Sequence, residues 1–199
     1  NNATLDDGAA IRAAGGTAWG NDGTIRFKAA DDVDMFGETE GVLDVDYFTI
    51  HIDGDYRIDT DTVIGSDDVD GCAFIVFDVD GKIYISDGVT FTIMKNVKFQ
   101  NVRLLGIDEV SVEGLYIGDG ASLFGFGNIE IFAEDVELGI NAGITSRYGS
   151  VTLRDLNFLG TGSDKMDSLI LGRGALISGR DGVFAKALDI TAGESAQIL

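Results

Sequence analysis

The sequence is most informative in what it lacks. It has no proline in 199 residues, where ordinary composition would supply about ten. Proline interrupts the interior of a hydrogen-bonded ladder, so its absence favours uninterrupted strands over coil linkers. One cysteine, Cys72, excludes a disulfide framework and any thiolate metal cluster within one chain. One histidine, His51, leaves zinc sites and histidine-based triads short of ligands. Lys and Arg number 14 against 34 Asp and Glu, a formal net charge of -20. Phosphate binding needs clustered cations, so nucleic acid and anionic membranes are poor partners, and neither nucleic-acid binding nor membrane insertion is expected. No apolar run approaches the length of a membrane helix.

Present in abundance are 28 glycines and a repeated phrase. The copies are Ile83-Tyr-Ile-Ser-Asp-Gly-Val-Thr-Phe91, Leu115-Tyr-Ile-Gly-Asp-Gly-Ala-Ser-Leu123, Val136-Glu-Leu-Gly-Ile-Asn-Ala-Gly-Ile144 and Leu169-Ile-Leu-Gly-Arg-Gly-Ala-Leu-Ile177. A looser copy runs from Leu188 to Ile198. Each alternates apolar and polar residues, turns on small residues and alternates again, which predicts strand, corner, strand. A second phrase places apolar residues at positions 1, 3, 6 and 8, as in Val151-Thr-Leu-Arg-Asp-Leu-Asn-Phe158 and Val183-Phe-Ala-Lys-Ala-Leu-Asp-Ile190. The jump from 3 to 6 predicts a bend that keeps both halves facing inward.

Corner glycines align blocks at Gly118 to Gly139, Gly139 to Gly160 and Gly172 to Gly193, with 161–171 read as an insertion. A short period of strands and corners without helices predicts an all-β parallel solenoid. An antiparallel β-sandwich or jelly roll is the alternative. One domain is expected over 1–199: an N-terminal cap at 1–22, irregular first turns at 23–82 and regular turns at 83–199. A short helix over Leu5–Ala14, begun by Asp6 or Asp7 and ended by Gly15-Gly16, is expected to plug the open end. Ala73 to Phe77 reads as a strand buried on both faces.

The opening, Asp6-Asp7-Gly8-Ala9-Ala10-Ile11-Arg12-Ala13-Ala14 followed by Gly23-Thr24-Ile25-Arg26-Phe27, resembles that of right-handed parallel β-helices of the pectate-lyase type, notably bacteriophage tailspikes. The resemblance implies a single-stranded right-handed parallel β-helix and a structural protein of a virus particle, such as a tail spike, head fibre or capsid decoration protein. It further implies a homotrimer contacting other virion proteins and a surface polysaccharide, with localisation in the virion. Secretion or a cell surface is the alternative location.

Candidate chemistry is sparse, and no catalytic residue is assigned. Outward carboxylates on strand phrases are Glu113, Glu130, Glu134, Asp135, Glu137 and Asp155. Arg154 beside Asp155, or Arg103 near Glu113, fits a lyase base. The paired-carboxylate alternative is therefore a polysaccharide lyase or glycoside hydrolase. The acidic loops Asp53, Asp55, Asp59, Asp61 and Asp67, Asp68, Asp70 are candidate Ca²⁺ ligands; a Ca²⁺-stabilised carbohydrate-binding adhesin is the other alternative. Phe132, Leu159 and Phe184 break the polar-outward alternation and are the expected subunit contacts.

Overall fold

The computed structural model describes residues 11–12, 24–30, 43–44, 47–64, 74–102, 109–155 and 165–199. It is all-β there, with no helix among the described residues. Strands fall into three parallel ladders that the chain visits in fixed rotation. Face one contains Thr24–Ala30, Tyr47–Asp53, Phe74–Val79, Asn96–Val102, the first half of Ile129–Leu138, Val151–Arg154 and Val183–Ala185. Face two contains Tyr56–Ile58, Lys82–Ile85, Val112–Ile117, the second half of Ile129–Leu138, Met166–Leu171 and Ala187–Ala192. Face three contains Thr62–Ile64, Thr90–Ile93, Ser122–Gly125, Gly143–Ser146, Leu176–Gly179 and Gln197–Ile198.

This order is consistent with a parallel β-helix. Faces one and two belong to one thirteen-stranded sheet, joined through Ile129–Leu138, and face three is a separate six-stranded sheet. Among the described residues only Asn96–Val102 and Glu109–Val110 pair antiparallel, which removes the sandwich and jelly-roll alternative.

Period-two alternation sends one set of side chains inward, and parallel register stacks like on like. On face two the inward column is Ile83, Leu115, Val136, Leu169 and Ile190. On face three it is Phe91, Leu123, Ile144, Ile177 and Ile198. Phe77 and Phe99 stack on face one with ring centroids 5.0 Å apart, and Phe91 meets Phe77 edge-on at 5.6 Å. All three rings are fully buried. Ile75, Val76 and Phe77 are buried together, as the apolar run predicted.

The repeated phrase is the corner between faces two and three. At the third residue of this turn the backbone is left-handed in five successive coils: Gly88, Gly120, Asn141, Gly174 and Ser195, with φ of 71°, 67°, 56°, 71° and 61°. The N–H after each donates back across a tight turn, as Ala121 does to Gly118 O at 3.1 Å. Positive φ at this turn position suits glycine and asparagine best. Two places earlier stands a glycine in four of the five copies, Gly118, Gly139, Gly172 and Gly193, and it packs too closely for a side chain. A Cβ on Gly139 would lie 2.5 Å from Asp119 Oδ1 and 2.9 Å from the carbonyl carbon of Gly118.

Two expectations need correction. The helix over Leu5–Ala14 is not seen: Ile11–Arg12 is extended and pairs in parallel with Leu43–Asp44, and the rest of 1–22 lies outside the described residues. A ladder partner for β-branched Ile11 outweighs a weak helical preference. The insertion expected over 161–171 does not extend through its second half, because Met166–Leu171 is itself a face-two strand.

Candidate functional surface

Corner carboxylates are the first group to place. Asp55 Oδ1 accepts the backbone N–H of Lys82 at 3.0 Å. Asp61 Oδ1 accepts that of Thr90 at 2.8 Å, and Asp59 accepts the Ser86 hydroxyl. One coil later Asp87 Oδ1 accepts the N–H of Asp119 at 2.8 Å, and Asp119 Oδ1 in turn accepts that of Ile140 at 2.6 Å. At the corner from face three to face one, Asn96 and Asn128 do the same for Asn128 and Ser150, at 2.7 and 2.9 Å. Each oxygen fastens its coil to the next, through a backbone donor that the turn leaves unpaired in every case but Asp59, whose donor is the Ser86 hydroxyl.

That use separates the predicted Ca²⁺ ligands. Asp55, Asp59 and Asp61 each reach to a different residue of the neighbouring coil. Asp53 ends a face-one strand, and nothing about its side chain is described. Asp67, Asp68 and Asp70 lie outside the described residues. Among the described residues no three of His, Cys, Asp and Glu are grouped to share a cation.

The outward side of face two carries a groove that the sequence reading missed. Register aligns Arg57, Tyr84, Tyr116, Glu137, Ile170 and Thr191 in one column. The rings of Tyr84 and Tyr116 stack at 5.2 Å, and the Arg57 guanidinium lies 4.2 Å from the Tyr84 centroid. The Lys82 ammonium lies over the Tyr116 ring, 5.7 Å from its centroid. Tyr116 leans over Gly114, where a Cβ would meet its ring at 2.7 Å. With Asp87, Asp119 and Glu137 these groups line an open groove of about 680 Å³. Burial raises the Tyr116 hydroxyl above its usual pKa near 10; Lys82 opposes this, and Asp135, Tyr84 and Glu137 add to it. The phenol is therefore a neutral hydrogen-bonding group at physiological pH. The available signal was tyrosine at the same place in the first two copies of the repeated phrase.

A second acidic group lies where face one turns into face two. Burial raises the Glu134 carboxyl above its usual value of 4.5, followed by repulsion from Asp155, Asp167, Glu113 and Asp135. Asp155 accepts the Ser111 hydroxyl and Asp135 the Ser168 hydroxyl, each at 2.6 Å. Both carboxylates are thus held by neighbouring coils. Glu130 stands apart on face one, aligned with Lys98 and Thr152. Arg154 lies over the Phe132 ring at 4.9 Å, and Arg103 lies outside the described residues.

The expected subunit contacts fare differently from one another. Phe132 is only 3% exposed, with Lys98 and Arg154 each 4.9 Å from its ring centroid, so it offers no free apolar surface. Long cationic stems cover an outward aromatic in this way. Phe184 is 48% exposed on the last face-one strand, with Lys186 at 5.4 Å. Leu159 lies outside the described residues.

No family model, curated protein or solved structure matches this chain.

Proposed function

We propose that this chain is a non-catalytic structural β-helix, a rigid rod carried on the outside of a particle or cell, with a virion component such as a tail spike or fibre as its first setting. The finer fold belongs to the same proposal: a single-stranded, right-handed parallel β-helix. Three ladders visited in rotation support it, as does the strong preference of parallel crossovers for the right hand. The observation that carries the functional reading is the use of the corner carboxylates. Asp55, Asp59, Asp61, Asp87 and Asp119 are hydrogen-bonded to the adjacent coil, which builds a stiff stack. The test is a screen of neutral and acidic polysaccharides for new reducing ends or unsaturated products. Release from any of them overturns the non-catalytic reading. Mass spectrometry of purified particles from the source tests the virion setting.

The face-two groove favours a second reading, a carbohydrate-binding surface on the same rod. Aromatic edges beside Arg57, Glu137 and the two corner aspartates offer the mixture of apolar and hydrogen-bonding groups that a sugar ring requires. Titration calorimetry with neutral oligosaccharides, with Tyr84→Ala as the comparison, decides it.

A further inference from the structure

Face three differs from the rest of the molecule in charge. None of its six strands, Thr62–Ile64, Thr90–Ile93, Ser122–Gly125, Gly143–Ser146, Leu176–Gly179 and Gln197–Ile198, contains Asp, Glu, Lys, Arg or His. Its outward positions are Val63, Thr92, Phe124, Thr145 and Ser178 in one column and Thr90, Ser122, Gly143, Leu176 and Gln197 in the other. Val63 is 56% exposed. Elsewhere the outward strand positions include Lys98, Glu130 and Arg154 on face one and Arg57, Lys82, Asp135 and Glu137 on face two. In a chain of net charge -20, a flat parallel sheet of hydroxyls, methyls and one phenylalanine ring stands out.

We propose that face three packs against face three of a second copy of this chain, side by side with the solenoid axes parallel. Two copies that each carry -20 repel through faces one and two, and the uncharged face lets them approach at least electrostatic cost. The borders of the face add direction. Asp61, Asp87, Asp119 and Glu194 stand along the edge shared with face two, while Lys95, Arg147 and Arg180, with Asp181, stand along the opposite edge. A two-fold axis parallel to the solenoid sets corners of equal height opposite one another, so Asp87 of each copy faces the Lys95 corner of the other, Asp119 faces Phe126 and Arg147 faces Ile140. Arg173, on the acidic edge, is the exception, and it meets the Arg180–Asp181 corner of the second copy. Six strands about 4.8 Å apart and about four residues long cover a patch of about 300 Å² in plan. The corners enlarge it, yet it stays below a standard interface, so the pair is a weak one.

Thr145 lies near the middle of this face, between Phe124 and Ser178 in register, so under a parallel two-fold it faces its own counterpart. Sedimentation equilibrium of the full chain at up to about 0.5 mM, a range that registers contacts of this weak class, is expected to show a monomer–dimer equilibrium. Thr145→Glu is expected to weaken the dimer about tenfold or more, because it sets two like charges together. Thr145→Arg does the same, and an equimolar mixture of the two variants recovers dimer that neither forms alone. Thr152→Glu, outward on face one, serves as the control, and circular dichroism confirms that each variant is folded. A monomer throughout, a trimer, a dimer indifferent to Thr145→Glu, or no recovery in the mixture overturns the proposal.

Discussion

Replacing Asp119 separates two uses of a corner carboxylate. Its Oδ1 receives the Ile140 N–H at 2.6 Å, while its own N–H donates to Asp87 Oδ1 at 2.8 Å through the backbone. Asp119→Ala therefore deletes one coil-to-coil hydrogen bond and leaves the second in place. The corner is exposed, so water replaces part of what is lost, and the cost should be about 1 kcal/mol. For a domain of this size that lowers Tm by about 2–4 °C. Asp119→Asn keeps an oxygen where the bond needs one and removes the charge, so its Tm should stay within about 1 °C of the parent, because hydrogen-bond acceptance rather than ionisation is what the corner uses. Calorimetric melts are run in chelator and again in millimolar CaCl₂. A cap predicts the order parent, Asn, Ala in both buffers. A Ca²⁺ ligand predicts that Asn is as damaging as Ala, and that CaCl₂ raises the Tm of the parent alone. The second pattern would refute the capping account.

Further outcomes follow from the same geometry. Gly139→Ala forces a Cβ to 2.5 Å from Asp119 Oδ1 and should cost about 1–3 kcal/mol. Gly143→Ala meets nothing closer than Leu176 O at 3.6 Å and should leave the melt unchanged. Phe77→Ala, emptying a fully buried site stacked on Phe99, should lose about 3–5 kcal/mol in denaturant unfolding. Glu134 has its folded pKa raised above 4.5, chiefly by burial and then by Asp155, so its ionised form opposes folding at neutral pH. That opposition is full above the folded pKa, fades as pH falls through it and is gone below about 4.5, the unfolded value. Glu134→Gln should therefore raise Tm at pH 7 and lose that advantage in acid; an equal gain at all pH values would contradict the assignment.

The repeated phrase made the corners legible because glycine, asparagine and small residues at one fixed place encode a backbone conformation directly. Gly118, Gly139, Gly172 and Gly193 do stack one over another. What the phrase could not convey was the partner of each carboxylate. Asp61 and Thr90 are 29 residues apart, and Asp87 and Asp119 are 32 apart. Asp55, Asp59 and Asp61 are close along the chain, yet each reaches a different residue of the neighbouring coil. The Tyr84–Tyr116 stack was missed for the same reason, since period alone does not say which outward positions coincide. Phe132 was correctly placed outside the inward column, but the covering of its ring by Lys98 and Arg154 depends on strands before and after it. Ile11 was misjudged because its ladder partner, Leu43, lies far along the chain.

The left-handed residue at the corner of faces two and three also governs where this molecule can change length. Successive coils differ in span, with bonded neighbours 21 or 22 residues apart in some and 32 or 33 in others. From Ile83 onward, however, every passage from face two to face three takes the same tight turn. In these same coils the longer spans come between face one and face two, after Val102 and after Arg154. One corner thus acts as a hinge pin that sets the pitch of the stack, and the added length enters the chain between faces one and two. Foreign peptide grafted between Arg154 and Met166 should leave the ladders aligned. The same peptide placed between Gly118 and Ala121 would slip the register of every coil beyond it.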